Sequence, residues 1–389
     1  MKKKIMLIVP MLHQGGFERV CVATARLLDP FYEVYIVMFD SRDIAYDIKG
    51  LNVIDLHLGV KKDILAKCLN VLKRSRAVRK LKSKLSVDIA YSFGPTANMV
   101  NVFSGGKEKI WVGIRSYMDM SDRRKLRLFV KDADRVLCCS GIIEDEMQTV
   151  YGCRNAVTLY NPLDTENMQK MAGQEEARLP WENREHMIAS MGREDDVKGF
   201  WHLVKSFSLV RRQIKDAKLM IIGEGNFEEY RELAAQLGIG DAVYFTGMKK
   251  NPFPYLAAAQ IYVLTSYNEG FPNALIEAMA LGKPVIATDC MTGPREILLK
   301  ESEKKLLKTE GSMTHTVYGD YGVLVPNMDP VKNLDAGLVT EEERNLAKEM
   351  ILLLTDEQTC GKYGRAALER AGAFSDENYL EVIRKLIET

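Results

Sequence analysis

Cysteine is sparse and scattered: seven in 389 residues, an odd total with no C-x-x-C pair. Cys138 and Cys139 are adjacent, a poor geometry for a mutual bridge. A disulfide framework is therefore excluded, and a reducing, cytoplasmic compartment fits best. Long apolar runs are lacking too. None approaches the 18 or so residues a membrane-spanning helix needs. The start, MKKKIMLIVPML, imitates a secretory leader, but the apolar run stops at Leu12 and enters HQGGFERV with no small-residue cleavage site. A buried first strand is expected instead. There is also no overall excess of one charge sign, since the net charge is +1, so nothing in the balance points to nucleic acid.

That balance hides an asymmetry. Residues 1–170 carry 28 basic and 19 acidic side chains, a net +9, and the remainder nets −8. A basic N-terminal half suits anionic surroundings. With 47% hydrophobic and 28% charged residues, the chain is ordinary globular material, long enough for two or three domains.

Apolar runs alternate with helical segments throughout. In the first half they fall at 4–11, 32–39, 53–56, 87–93, 109–114, 135–140 and 155–160. In the second half they fall at 186–191, 218–222, 243–246, 261–266, 284–288 and 322–326. Short apolar runs between helices read as buried parallel strands. The fold class expected is α/β, with two doubly wound parallel-sheet, Rossmann-like domains at 1–165 and 166–375. Residues 166–185 read as a linker, 300–320 as a charged loop, and 376–389 as a helix crossing back onto the first domain. Ligands of such sheets bind beyond the carboxyl ends of the strands. Both domains would then face one cleft.

The most informative stretch is TSYNEGFPNALIEAMALG, residues 265–282. A strand leads into Gly270, which frees the backbone for a tight turn. Pro272 suits the first helical turn, where its missing N–H costs nothing. Glu269 then sits in the loop and Glu277 in the helix, about 8–9 Å apart along the axis of a regular helix. Amides at a helix N-terminus attract an anion, and carboxylates accept from vicinal hydroxyls. A diphosphate with a diol at each end fits that layout, which describes a nucleotide sugar. Two more strand ends carry anion chemistry. Arg193 and Lys198 lie between a strand and a helix, offering a rigid fork, a point charge and a helix dipole. Gly15-Gly16 follows the first strand and opens a helix, as a plain tight turn or a phosphate-approach loop.

The string E-GFPNALI-E, followed by Ala278, Gly282 and 284–288, resembles the hallmark of the family-4 retaining glycosyltransferases. Their G-G-x-E-R-V, G-R-x(3,4)-K-G, I-G-x-G and N-P-[IV]-D elements have counterparts here at Gly15, Arg193, Ile222 and Asn161. The resemblance implies the two-Rossmann architecture of the B-type enzymes and transfer of a hexose or N-acetylhexosamine from a UDP-sugar, with retention. It implies Glu269, Arg193 and Lys198 as catalytic residues. It implies donor contacts at Gly15, Gly16, Arg193, Lys198, Gly247, Glu269, Gly270, Phe271, Asn273, Ala274 and Glu277. No metal or other cofactor is required. No dedicated base is evident, and the leaving phosphate would take the acceptor proton.

The acceptor side is less determined. Relatives often carry a histidine after the strand at 109–114; here that position is Arg115, which resembles the polysaccharide-assembly branch. Arg115 either clamps an acceptor phosphate bidentately or serves a structural ion pair. Asn98 is the second acceptor-side candidate. Residues 61–84 hold ten basic side chains and one acid, and residues 123–131 interleave basic residues with Leu and Phe. Each reads as a solvated helix face or as a patch for an anionic membrane surface. The expected partner is then a polyprenyl-diphosphate-linked saccharide at the inner face of the plasma membrane. Asp132-Ala133-Asp134 mimics a D-x-D metal motif but stands immediately before a strand, so an ordinary strand start is expected. A sugar-nucleotide epimerase of the same architecture and a non-catalytic nucleotide-sugar-binding module are the alternatives.

Overall fold

Runs that are apolar on both faces bury both faces of a parallel sheet, and the first half of the chain does this. β1 (Lys4–Val9), β2 (Glu33–Met38), β3 (Asn52–Asp55), β4 (Ile89–Phe93), β5 (Lys109–Ile114), β6 (Arg135–Cys138) and β7 (Ala156–Thr158) form one sheet. All pair in parallel, in the order β3-β2-β1-β4-β5-β6-β7. The second sheet contains β8 (Met187–Met191), β9 (Lys218–Ile222), β10 (Val243–Phe245), β11 (Ile261–Leu264), β12 (Val285–Thr288), β13 (Val317–Tyr318) and β14 (Val323–Val325). Its order is β10-β9-β8-β11-β12-β14-β13, parallel except for the antiparallel β13–β14 pair. The α/β class with two doubly wound sheets is thus the observed fold. Each sheet reverses its direction of growth beside its first strand, between β1 and β4 and between β8 and β11.

The computed structural model describes residues 2–13, 15–60, 63–290, 292–300 and 313–389. Most of the charged loop expected at 300–320, and Lys61 and Lys62 of the basic stretch, lie outside the described residues. β13 occupies the described end of that loop, with Val317 opposite Leu324.

The chain divides into two compact units, Met1–Pro162 with Asp376–Thr389, and Leu163–Ser375. In the first unit, the helix Asp376–Glu388 buries Tyr379, Ile383 and Ile387 among residues of β1, β2, β4 and the helix Gly16–Leu28. The Tyr379 hydroxyl hydrogen-bonds Thr24 Oγ1 at 2.6 Å. In the second unit, the stretch expected as a linker is partly structured. Asp164 caps the helix Thr165–Gly173 through Asn167 N, and Met168 is buried. Trp181 Nε1 donates to Asp241 O at 3.0 Å, and the Trp181 ring meets Tyr244 edge-on. One cap and two apolar anchors outweigh the polar composition of that stretch.

The basic helix Ile64–Leu85 uses some of its charge internally. Arg74 donates to Leu58 O at 2.8 Å and lies over the Phe39 ring. Arg79 donates to Gly105 O. Lys82 pairs with buried Glu108 at 2.7 Å. Leu69, Leu72, Lys67, Lys73, Arg76, Lys80 and Lys84 remain exposed. Among the described residues, no helix is long and apolar enough to cross a membrane.

Candidate active site

The second unit gathers its charged side chains where β8 and β11 end. Asp195 Oδ1 accepts from Val197 N and caps a short 3-10 turn, Asp196–Lys198. Gly199 follows with φ +60°, and the helix Phe200–Gln213 begins there. A Cβ on Gly199 would stand 2.4 Å from Thr265 O, so a side chain is barred by both conformation and space. Thr265 Oγ1 donates to Lys198 O at 2.8 Å, and Tyr267 N donates to Val197 O at 3.1 Å. These bonds stitch the Lys198 turn to the loop after β11 and fix where the lysine side chain emerges.

That side chain reaches Glu269. Lys198 Nζ lies 2.7 Å from Glu269 Oε1, although the residues are 71 positions apart. The Glu269 side chain is only 12% exposed and that of Lys198 25%. Arg193, two residues past β8, is exposed. Among the described residues it has no ion-pair or hydrogen-bond partner. The loop therefore holds one neutralised cation and one uncompensated one.

The Glu269 loop is held from behind. Thr292 Oγ1 donates to Glu269 O. Gly293, at φ +87°, lets the next turn press on Pro272, whose Cδ would be 2.4 Å from a Cβ there. Asp289 is fully buried, pairs with Arg295 and accepts from Met313 N at 2.7 Å. Gly270 is buried, and Phe271 meets Phe374 edge-on at 5.1 Å. Pro272 then leads into the helix Asn273–Ala280, whose N-terminus has no side-chain cap and no acid in its first turn. Asn273 and Ala274, the first helical residues, are partly exposed. Glu277 is 2% exposed, turned into the unit rather than set on a solvated helix face.

Neighbouring groups register these carboxylates. Burial pushes the phenol of Tyr262 on β11 up in pKa, and Glu269 and then Glu277 add to the shift. Cys290 is raised by burial and by Glu269 and Asp289, and Lys198 opposes them. At the end of β9, Gly223 approaches Gly192 O so closely that any Cβ would clash at 1.9 Å. Gly247, at φ +67°, accepts from Gly223 N at 3.3 Å.

The first unit holds the remaining candidates. Gly15 ends the turn after β1, but its amide already donates to the Tyr46 hydroxyl at 2.9 Å, which returns a bond to Gly15 O at 2.7 Å. The Glu18 carboxylate folds over Gly15, with Oε2 2.2 Å from where a Cβ would be. This differs from a turn of open amides aimed at a phosphate. The acid sits favourably at the helix N-terminus, occupying the space near partly exposed Gly15 and exposed Gly16. Asn98 is buried and ties strands together: Nδ2 donates to Gly113 O, and Oδ1 accepts from Ser92 Oγ and Gly113 N. Asp134 Oδ2 accepts from Ile110 N at 2.6 Å, an ordinary strand start, with Asp132 exposed. Arg115 is partly exposed and rests on the Tyr91 and Phe93 rings.

Sequence reasoning gives the 292–297 turn no role. Its one signal is the Gly-Pro pair after Thr292, a sharp turn close behind β12. The stitching by Thr265 and Tyr267 has no sequence signal, because it runs through backbone atoms.

Residues 173–317 match the family model described as "Glycosyl transferases group 1", and this span contains β8 to β12 and the whole Lys198–Glu269 site. The chain is 37% identical over 206 residues to an uncharacterized glycosyltransferase of Methanocaldococcus jannaschii, covering 52% of this chain and 49% of that one. It thus spans about half the length of that relative. It is 25% identical over 312 residues to a Campylobacter jejuni enzyme, N-acetylgalactosamine-N,N'-diacetylbacillosaminyl-diphospho-undecaprenol 4-alpha-N-acetylgalactosaminyltransferase, covering 76% of this chain and 83% of that one. The matched span is thus similar to group 1 glycosyltransferases. In architecture, the chain superposes on the crystal structure of Anabaena HepE in complex with UDP and glucose. The TM-score is 0.74 at 17% identity, over 99% of both chains. That likeness assigns the fold, two Rossmann-like α/β domains.

Proposed function

We propose that the chain is a glycosyltransferase that moves a hexose or N-acetylhexosamine from a UDP-sugar to a saccharide acceptor carried on a lipid diphosphate, retaining the anomeric configuration as family-4 enzymes do. The observation that carries the reading is the Lys198–Glu269 pair at 2.7 Å. It stands past the carboxyl ends of the adjacent strands β8 and β11, the edge at which doubly wound sheets bind ligands. An uncapped helix N-terminus lies beside it. Arg193, Lys198 and the amides near Asn273 and Ala274 receive the diphosphate. Glu269 accepts from sugar hydroxyls, and Glu277 from the ribose diol.

Departure of UDP builds negative charge on the β-phosphate oxygens. Arg193 and Lys198 stabilise that charge more strongly as it grows, which lowers the barrier. Glu269 holds the sugar as the anomeric carbon gains oxocarbenium character. The acceptor hydroxyl bonds to that carbon and its proton passes to the leaving phosphate. We assign charge neutralisation to these side chains rather than to a divalent cation. HepE was crystallised with UDP and glucose, which supports the UDP-sugar donor, and the C. jejuni relative is named for a diphospho-undecaprenol acceptor, which supports the lipid diphosphate.

The exposed basic residues of Ile64–Leu85, together with exposed Leu69 and Leu72, support docking on an anionic bilayer by charge and apolar contact. The helix Arg123–Val130 adds exposed Arg123, Arg124, Lys125, Arg127 and Leu128. Flotation with phosphatidylglycerol vesicles at low salt tests this, and protein left unbound there ends the docking reading. A screen of UDP-hexoses and UDP-N-acetylhexosamines, reading released UDP with and without acceptor, tests the reaction. No UDP release from any donor would overturn the donor assignment.

A further inference from the structure

Arg115 is the charged group of the first unit whose surroundings call for a ligand. Its guanidinium lies 5.1 Å from the Phe93 ring centroid and 5.6 Å from that of Tyr91. Gly113 makes room beneath it, since a Cβ there would be 3.2 Å from Nε. Nη1 donates to Asn161 Oδ1 at 3.0 Å, and Nη2 donates to the Tyr91 hydroxyl. Both partners are neutral. Nε is buried with no hydrogen-bond partner. Among the described residues, no carboxylate lies within ion-pair distance of the guanidinium. Asp119, four residues on, turns Oδ2 to the backbone amides of Arg115 and Ser116 instead. The structural ion pair that the sequence allowed is absent.

A guanidinium stacked on two rings and oriented by two neutral oxygens is fixed in direction but not in charge. Leaving a partly desolvated cation without a counter-charge is unfavourable. The position makes sense when an anion completes it, and a planar fork matches the oxygens of a phosphate. The fork stands just past the carboxyl end of β5, the edge of the sheet where ligands bind.

We propose that Arg115 anchors a phosphate or diphosphate group of the acceptor, with Tyr91 and Asn161 as positioning residues that aim the guanidinium. The phosphate is the part of the acceptor that is not glycosylated. This deepens the transfer reading above and rests on it for the sugar's fate, but the anion site stands on its own geometry.

The test uses two probes, inorganic pyrophosphate and farnesyl diphosphate, titrated by calorimetry into the full chain with UDP saturating so that the donor site is filled. Wild type should bind both. Arg115→Met should weaken that binding by about ten- to hundredfold, the range for losing hydrogen bonds to a charged group. Arg115→Lys should recover only part of the affinity. Tyr91→Phe should weaken anion binding while leaving UDP affinity unchanged, which a general loss of folding would not do. Farnesyl diphosphate binding tighter than pyrophosphate supports a lipid-borne phosphate, and equal affinity supports a free one. If Arg115→Met melts below assay temperature, Arg115→Lys and Tyr91→Phe decide the matter. Wild type binding neither probe, or every variant binding as wild type does, overturns the proposal. Failure to bind UDP would instead strike the donor reading, and the same titrations without UDP would still judge Arg115.

Discussion

Replacing Lys198 by methionine removes the ammonium from its 2.7 Å contact with Glu269 Oε1 while keeping most of the apolar stem. Two consequences follow, and they separate. Glu269, only 12% exposed, loses its cation. Breaking a fully buried pair costs about 3–5 kcal/mol; discounted for the solvent that reaches this lysine, the loss of stability should be about 1–3 kcal/mol. Turnover should fall by about 10²–10³, as for other pre-set donors to a developing oxyanion. Arg193→Ala provides the contrast. Arg193 is exposed and has no partner among the described residues, so its removal should leave the melting curve in place while turnover falls to a similar degree. Glu269→Gln keeps a hydrogen-bond acceptor for Lys198, and stability should change by less than about 1 kcal/mol. In the double variant, the stability losses should fall short of additive, because the contact can be lost only once. Steady-state UDP release and chemical denaturation of the four proteins supply all the numbers. If Lys198→Met and Arg193→Ala both keep turnover within about threefold of wild type, neither cation meets the leaving group in the way oxyanion stabilisation requires, and the site assignment fails.

Thr292→Val removes the hydroxyl that donates to Glu269 O; kcat should fall by about tenfold, the worth of one hydrogen bond, with KM for the donor little changed. Thr292→Ser should restore it, and equal loss in both variants would mean that the hydroxyl does not position Glu269. Gly199→Ala forces a side chain into φ +60° and a 2.4 Å approach to Thr265 O; stability should drop by at least about 1–2 kcal/mol, read as a lowered melting temperature. Asp356 caps the helix Glu357–Ala371 through Thr359 N and Oγ1, and the Thr359 hydroxyl holds its carboxyl below the ordinary range. Because the folded pKa is the depressed one, this contribution is complete above the ordinary aspartate value and fades as pH falls through the folded value. Asp356→Asn should therefore flatten that part of the stability profile on the acid side of about pH 4, and an unchanged profile would refute the cap's role.

The strands were legible because a buried parallel strand leaves no polar face. IMLIV, VYIVM and LMII can be read as strands without any partner in view. The acids and cations at the strand ends were legible for a related reason: a Gly or Pro beside a charge at the end of such a run marks a loop with a purpose. Other features depend on partners far away in sequence. The Gly15 turn reads as a set of open amides until Tyr46, 31 residues on, is seen to hold the amide. Glu277 reads as a helix carboxylate that accepts from a diol, and only the packing of its helix shows that it is 2% exposed. Residues 166–185 read as a linker because their composition is polar, yet one aspartate cap and a few apolar contacts order much of them.

Glu269 shows the same limit most clearly. Its own neighbours explain why it sits in a loop, but not why the loop holds still. The Thr292 hydroxyl, 23 positions away, does that on one side, and the Lys198 ammonium, 71 positions away, on the other. A motif of two glutamates can therefore suggest the chemistry proposed for this site, whereas the precision that chemistry would need, within about 0.5 Å of the productive geometry, would be set by residues outside the motif. Substitutions at Thr292, Gly293 or Thr265 should for that reason damage turnover more than their distance from the charged groups in sequence would suggest. A swap at Val331, an exposed side chain of the same unit that takes part in none of these contacts, should leave turnover as it is.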